Sequence, residues 1–126
     1  GPSTLASQGF IKTGGKAVEG AFLVSDYSPA AVSAQNVAFV AAYTARFKNA
    51  PDNWAAMGYT LGQLAAQAVQ NAGPNPDRKR IRDEIGKLNR VPVVMGVGTW
   101  SVNAARQPTY GGVLLTVKNG NFLTVQ

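Results

Sequence analysis

The residues able to do chemistry in this chain are few, and their types exclude more than they suggest. Cysteine and histidine are both absent from the 126 residues. Within the chain that excludes zinc sites built on thiolate or imidazole, cysteine nucleophiles and serine–histidine triads. Two carboxylates stand side by side at Asp83 and Glu84, but neighbours on a helix point about 100° apart, so they do not converge on one substrate. Lys16, Tyr59 and Tyr110 have no partner at a spacing that would tune them. The segment from Gly9 to Lys16 comes near a phosphate-binding loop and misses it, because Gly15 intervenes before the lysine and Ala17, not a hydroxyl residue, follows. Gly96-Val97-Gly98 is no dinucleotide fingerprint, since no helix follows it. The reading is of a protein that is not an enzyme, with no cofactor and no metal.

Charge suggests a second class. Of the 12 basic residues, Arg78, Lys79, Arg80, Arg82, Lys87 and Arg90 fall in one short segment of a chain whose net charge is +6. Such a cluster could meet nucleic acid, an anionic membrane surface or an acidic partner, and steeply salt-dependent binding would mark it. It is also what a solvated helix face looks like, the reading adopted here, which assigns no nucleic-acid partner.

A third set lies where strands and helices should meet. Ala21 to Ser25 is a short apolar run, consistent with a strand buried on both faces of a parallel sheet. It leads into Asp26-Tyr27-Ser28-Pro29, at the carboxyl end of that strand, where open α/β sheets form ligand crevices. The same four residues also fit an ordinary strand-to-helix turn, with Asp26 or Ser28 bonding its own backbone.

The element that must position these groups is Asn53 to Asn71. Trp54, Met57, Leu61, Leu64 and Ala68 recur at three- and four-residue steps on one helical stripe. Asn53, Thr60, Gln63, Gln67 and Gln70 run out of phase, as a solvated face. Ala55, Gly58, Gly62 and Ala66 form a third row with almost no side chain. Interior glycines cost about 1 kcal/mol each relative to alanine, so close packing on a sheet is expected to offset them. Asp52 is placed to cap the helix, and Gly73 and Pro74 to end it.

Around it, Thr4 to Gly20 reads as a short helix or turn and then a loop, and Ser33 to Phe47 as a helix capped by Ser33. Asp77 to Leu88 reads as a shorter helix with Ile81, Ile85 and Leu88 inward. Val93-Val94-Met95 and Gly98-Thr99-Trp100 are strand-like, and Val113 to Lys118, Asn119-Gly120 and Phe122 to Val125 form a hairpin. Gly1 to Ser3 read as the remnant of tag cleavage and Thr4 to Gln126 as one α/β unit. Three helices with so few strands suggest a fragment of a larger fold.

In that order, the elements resemble the carboxyl-terminal part of type I periplasmic substrate-binding proteins of ABC transporters, in the branched-chain amino acid group. The likeness is carried by Gly15-Lys16-Ala17-Val18-Glu19-Gly20-Ala21, the strand and its Pro29 loop, and Phe39 to Phe47 with Pro51-Asp52. Trp54 to Tyr59, the helix from Arg78 to Leu88 and the hairpin after Gly96 complete it.

The resemblance implies a two-lobed receptor that closes on a small ligand, with helices on a mostly parallel sheet and a carboxyl-terminal antiparallel hairpin. The amino-terminal portion of such receptors supplies most of both sheets. It also implies a periplasmic location with a signal peptide in the full-length protein, and an ABC permease as partner. Trp54, which opens the long helix, is then a candidate for ligand contact or simply its first core residue; Tyr59, Asp26 and Tyr27 follow. One departure concerns the ligand. Amino-acid-binding members carry an acidic residue upstream of the first strand, and that place falls near Ser3 to Leu5, where no carboxylate stands. An aromatic or aliphatic carboxylate or amide then joins the amino acids as a reasonable ligand. A sensory domain of the same fold is the alternative function. The isolated chain is expected to be poorly ordered or associated with a copy of itself.

Overall fold

Ser7, Ser33, Asp52 and Asp77 start the four α-helices by one device: the side-chain oxygen accepts the amide N–H three residues on, satisfying a donor the first turn leaves free. The computed structural model describes residues 1–125. Helix α1 spans Gln8–Gly14, α2 Ala34–Phe47, α3 Asn53–Ala72 and α4 Arg78–Ile85. A left-handed Lys48 ends α2, and Gly73, at φ 79°, ends α3.

The strands are β1 (Phe22–Ser25), β2 (Val91–Pro92), β3 (Thr99–Val102), β4 (Pro108–Thr109), β5 (Val113–Lys118) and β6 (Asn121–Thr124). They form two three-stranded sheets, in the orders β1-β5-β6 and β2-β3-β4. The closing hairpin is as expected from Asn119-Gly120, both residues having positive φ.

The first strand forms where expected, but its partner and burial differ. β1 pairs antiparallel with β5, and every strand pairing among the described residues is antiparallel. Leu23 and Ser25 are buried while Phe22 and Val24 face outward. The reason is that α1 and the Ser3–Leu5 turn cover one face only. Gly1 lies along the outer edge of β1. Its amine donates to the Phe22 carbonyl and its own carbonyl accepts from Val24 at 2.9 Å, the offset of a parallel ladder around Leu23. Val93, Val94 and Met95, read as strand-like, are fully buried between β2 and β3 without joining a ladder.

Two apolar cores result. One gathers Ala6, Leu23, Leu115, Val117 and Phe122 between α1 and the first sheet. The other gathers Tyr27, Phe39, Ala56, Leu64, Leu88 and Val93 to Met95 among α2, α3, α4 and the second sheet. A carboxylate ties the ends of the first unit together. Glu19 accepts the Asn119 amide at 2.9 Å and the Gly120 amide at 2.7 Å, holding the hairpin turn against the segment before β1. Glu19→Ala is expected to cost about 1 kcal/mol and to speed amide exchange at Asn119 and Gly120 while leaving α3 unchanged. Hydrogen exchange read by NMR checks both halves of that statement.

Helix α3 forms over the expected range but is turned about its axis. Its buried residues are Asn53, Ala56, Thr60, Leu64, Ala68 and Ala72, so two members of the row read as solvated are inside. Trp54 and Leu61, read as part of the inward stripe, are 52% and 55% exposed. The cause is what packs on each side: Asn53 meets Ser25 at the end of β1 while Ala56 and Leu64 join the second core, and Trp54 and Leu61 belong to neither core. A methyl group added at Gly58 or Gly62 would meet no atom within 4 Å, so the close approach expected there is absent among the described residues. In α4, Leu88 just beyond its end is buried, Ile81 is half-buried, and Ile85 is exposed instead of inward.

Candidate functional site

The chain passes between its two cores twice, side by side. Going out, Leu23 sits in the first core and Tyr27 in the second; coming back, Tyr110 packs on the second core and Val113 on the first. Ser25 pairs with Val113 in the β1–β5 register, so the crossings are adjacent and antiparallel. The ring-bearing and acidic residues singled out from sequence cluster at and beside these crossings.

Ser25, buried, organises the outgoing one. Its hydroxyl donates to the Tyr27 carbonyl at 2.8 Å and accepts the Tyr27 amide at 3.2 Å, with the Asn53 side-chain oxygen 3.5 Å away. That links the end of β1 to the first turn of α3. Asp26 is half-buried, and its carbonyl accepts the Gly96 amide at 2.7 Å. Beyond it, Asn36 is buried and its amide nitrogen donates to the carbonyls of Ser28, Pro29 and Ala31 at 3.3, 3.2 and 2.8 Å, holding the loop against α2. The Ser28 hydroxyl meets that of Thr124 at 2.6 Å. The loop beyond the crossing is thus tied to α2 and to β6.

The four sequence candidates do not share one surface. Tyr27 is a core residue: its ring meets Phe39 edge-on at 6.1 Å. Phe39 in turn stacks on Tyr59 at 4.6 Å, so Tyr27 and Tyr59 join through one shared neighbour. Asp26 points to the other side, toward Tyr110, and Trp54 stands exposed at the start of α3. Burial first, and the Asp52 carboxylate second, push the Tyr27 hydroxyl far above the ordinary tyrosine range. Burial first, and the Asp26 charge second, also raise the Tyr110 hydroxyl. The Tyr27 hydroxyl is buried without a hydrogen-bond partner among the described residues. Tyr27→Phe is therefore expected to stabilise the chain by about 1 kcal/mol, as a rise in the denaturation midpoint; a fall would show that the hydroxyl has a partner in solution.

Trp100, Tyr110, Ser25 and Asn53 were not singled out as site residues from sequence. The Trp100 and Tyr110 rings stack at 4.8 Å with planes 2° apart. Ser101 pairs with Thr109, so the next position outward is Trp100 opposite Tyr110. Two aromatics at equal distance from the Asn103–Gln107 turn were the available signal. Trp100 borders an apolar groove of about 410 Å³ between α3, α4 and the β3–β4 hairpin, whose lining includes Leu61, Leu64 and Leu88.

Half of the basic segment is paired within itself. Asp83 takes Lys79 at 3.2 Å and Arg82 at 2.7 Å, and Glu84 takes Lys87 at 2.6 Å. Bonding to Arg82, then to Lys79, holds the Asp83 carboxyl below its usual range. No group of metal-ligating side chains occurs among the described residues, and no helix is long and apolar enough to cross a membrane.

The family model for periplasmic binding proteins matches residues 1–121. The chain belongs to the periplasmic binding protein family. The match includes Gly1 to Ser3, the residues read as a tag remnant. A leucine-binding protein from Thermotoga maritima superposes with a TM-score of 0.87 at 26% identity, over 99% of this chain and 35% of its own. A putative branched-chain amino acid ABC transporter protein from Rhodospirillum rubrum gives 0.77 at 32% identity, over 99% and 36%. A solute-binding protein of an ABC transporter from R. palustris, solved with benzoate, gives 0.81 at 26% identity, over 93% and 32%. No curated protein sequence matches the chain. The chain thus spans about a third of the length of these solved relatives, and its architecture is a fragment of the type I periplasmic-binding-protein fold. The relatives are solute-binding proteins.

Proposed function

We propose that the chain is part of the solute-binding component of an ABC importer, acting outside the cytoplasm, non-enzymatic, and working by hinge closure on a small ligand. The observation that carries this reading is the paired crossing, Ser25 to Tyr27 beside Tyr110 to Val113, in a chain of the periplasmic binding protein family. Two antiparallel segments joining two cores form a hinge axis, and Gly111 and Gly112 on the returning one lower its resistance to bending. An ABC permease is the partner this role requires.

Trp54, Tyr59, Asp26 and Tyr27 are the proposed contacts on this part of the cleft. Trp54 supports that role best, being an exposed ring beside the outgoing crossing. Tyr27, inside the second core, would act by positioning Phe39 and Tyr59. The ligand is an amino acid, or an aromatic or aliphatic carboxylate or amide. Ser3 to Leu5 offer no carboxylate for an ammonium group, and one relative was solved with benzoate. Both favour a ligand without that group, since an ammonium buried without a partner is costly.

The test is an NMR titration of the chain with benzoate, benzamide and L-leucine, which reads millimolar affinities. Benzoate or benzamide is expected to move the amides of Asp26, Tyr27 and Asn53 to Ala55, and Trp54→Ala to abolish the shifts. Shifts confined to the 410 Å³ groove, or none with any of the three, overturn the site assignment.

A further inference from the structure

Asn119 is the one asparagine of nine in the chain that precedes glycine. That pair is reactive as well as turn-forming. With no side chain on Gly120 to obstruct it, the Gly120 backbone nitrogen can approach the side-chain carbonyl carbon of Asn119 and attack it. Both residues are exposed, at φ 52° and 69°, and no atom lies within 4 Å of where a Gly120 methyl group would sit. Crowding therefore does not prevent the attack. One contact does oppose it. From the segment before β1, the Glu19 carboxylate accepts the Asn119 amide on one oxygen at 2.9 Å and the Gly120 amide on the other at 2.7 Å. The attacking nitrogen is thus the one whose N–H is held in a charge-assisted bond. Attack takes that hydrogen away, so the bond to Glu19 must be given up first. The negative charge beside the nitrogen also disfavours the anionic form that attacks.

We propose that Asn119 and Gly120 form a self-modification site that Glu19 keeps closed, reacting only from the locally open state in which the carboxylate has let go. In that state the Gly120 nitrogen bonds to Asn119 Cγ and the Cγ–Nδ2 bond breaks. Ammonia leaves, carrying the hydrogen that the Gly120 nitrogen gives up, and a cyclic succinimide remains. Water then adds at either succinimide carbonyl and breaks its bond to nitrogen. The products are aspartate, or isoaspartate in which the main chain runs through the former side chain. Aspartate sets a second negative charge beside Glu19, where like charges repel. Isoaspartate adds a carbon to the main chain of a turn that fits two residues. Either product loosens the β5–β6 hairpin, whose Val117 and Phe122 pair in register and belong to the first core. The modification is an irreversible release of that hairpin.

The test follows conversion of amide to acid at Asn119 by peptide mass spectrometry, in the intact 126-residue chain kept warm at neutral pH. In Glu19→Ala the rate is expected to rise about fivefold, the factor by which losing the clamp enlarges the open population. Glu19→Gln, which keeps an acceptor without the charge, should fall between that variant and the wild type. In concentrated urea all three are expected to react at one rate, because the contact exists only in the folded chain. An unchanged rate in folded Glu19→Ala overturns the gate. A slower rate there would make the carboxylate a general base, and overturns it too, as does a difference that persists in urea. Should Glu19→Ala fail to fold, Glu19→Gln makes the same comparison. Release of the hairpin is read separately, on wild-type chain that has reacted and been separated by its extra charge. Its Gly120 and Asn121 amides are expected to exchange faster than those of the unreacted chain, and equal protection overturns the release.

Discussion

Gly96→Ala is expected to destabilise the chain by about 2–4 kcal/mol, from a left-handed backbone combined with overpacking. Gly96 has φ 55°, and a methyl group there would enter the Tyr110 carbonyl, which is backbone and cannot swing aside. The same short turn clamps both crossings: the Gly96 amide donates to Asp26 at 2.7 Å, and the Val97 amide donates to Tyr110 at 2.9 Å. Relieving the clash would break one clamp or the other, so the loss should fall on the second core and on the linkage between cores together. Gly120→Ala is the control. It has φ 69° but nothing within 4 Å of the added methyl, so only backbone strain of about 1–2 kcal/mol applies. Urea denaturation of both variants measures the difference, and equal losses would mean that the turn does not hold Tyr110 as described.

The helices were legible because their signals are local. The caps at Ser33 and Asp52, the glycine after α3 and the three-to-four spacing each act within a few residues, and α2, α3 and α4 appear near the expected positions, while α1 forms in a segment read only as a short helix or turn. What α3 faces was not legible. A helix with no charge gives periodicity two acceptable answers, one through Trp54 and Leu61 and one through Asn53 and Thr60, and the choice is made by distant neighbours. Ser25 beside Asn53 is such a neighbour. The partner of β1 was likewise illegible, because Phe22 pairs with Thr116 across nearly the whole chain and a four-residue apolar run does not encode direction. Asp26 and Tyr27 stand out in sequence by their position at a strand end, whereas Asn36, whose side chain organises the loop, looks in sequence like any polar helix residue.

The aromatic cluster allows stability and binding to be separated by paired substitutions. Phe39 touches Tyr27 at 6.1 Å, Tyr43 at 5.8 Å and Tyr59 at 4.6 Å between ring centroids, and is itself buried. Phe39→Ala should therefore cost about 3–5 kcal/mol, the usual range for removing a buried ring that its neighbours cannot refill. It would also release Tyr59, which has no other stacking partner among the described residues. Trp54→Ala removes a ring that is 52% exposed and belongs to neither core, so its effect on stability should stay within about 1 kcal/mol. If Trp54 contacts the ligand, that variant loses the amide shifts with benzoate at nearly unchanged stability. Tyr27→Phe, gaining stability, should keep them, because Tyr27 acts through the position of its ring. Loss of binding in Tyr27→Phe with retention in Trp54→Ala would reverse the two roles and place the ligand on the buried side of the crossing.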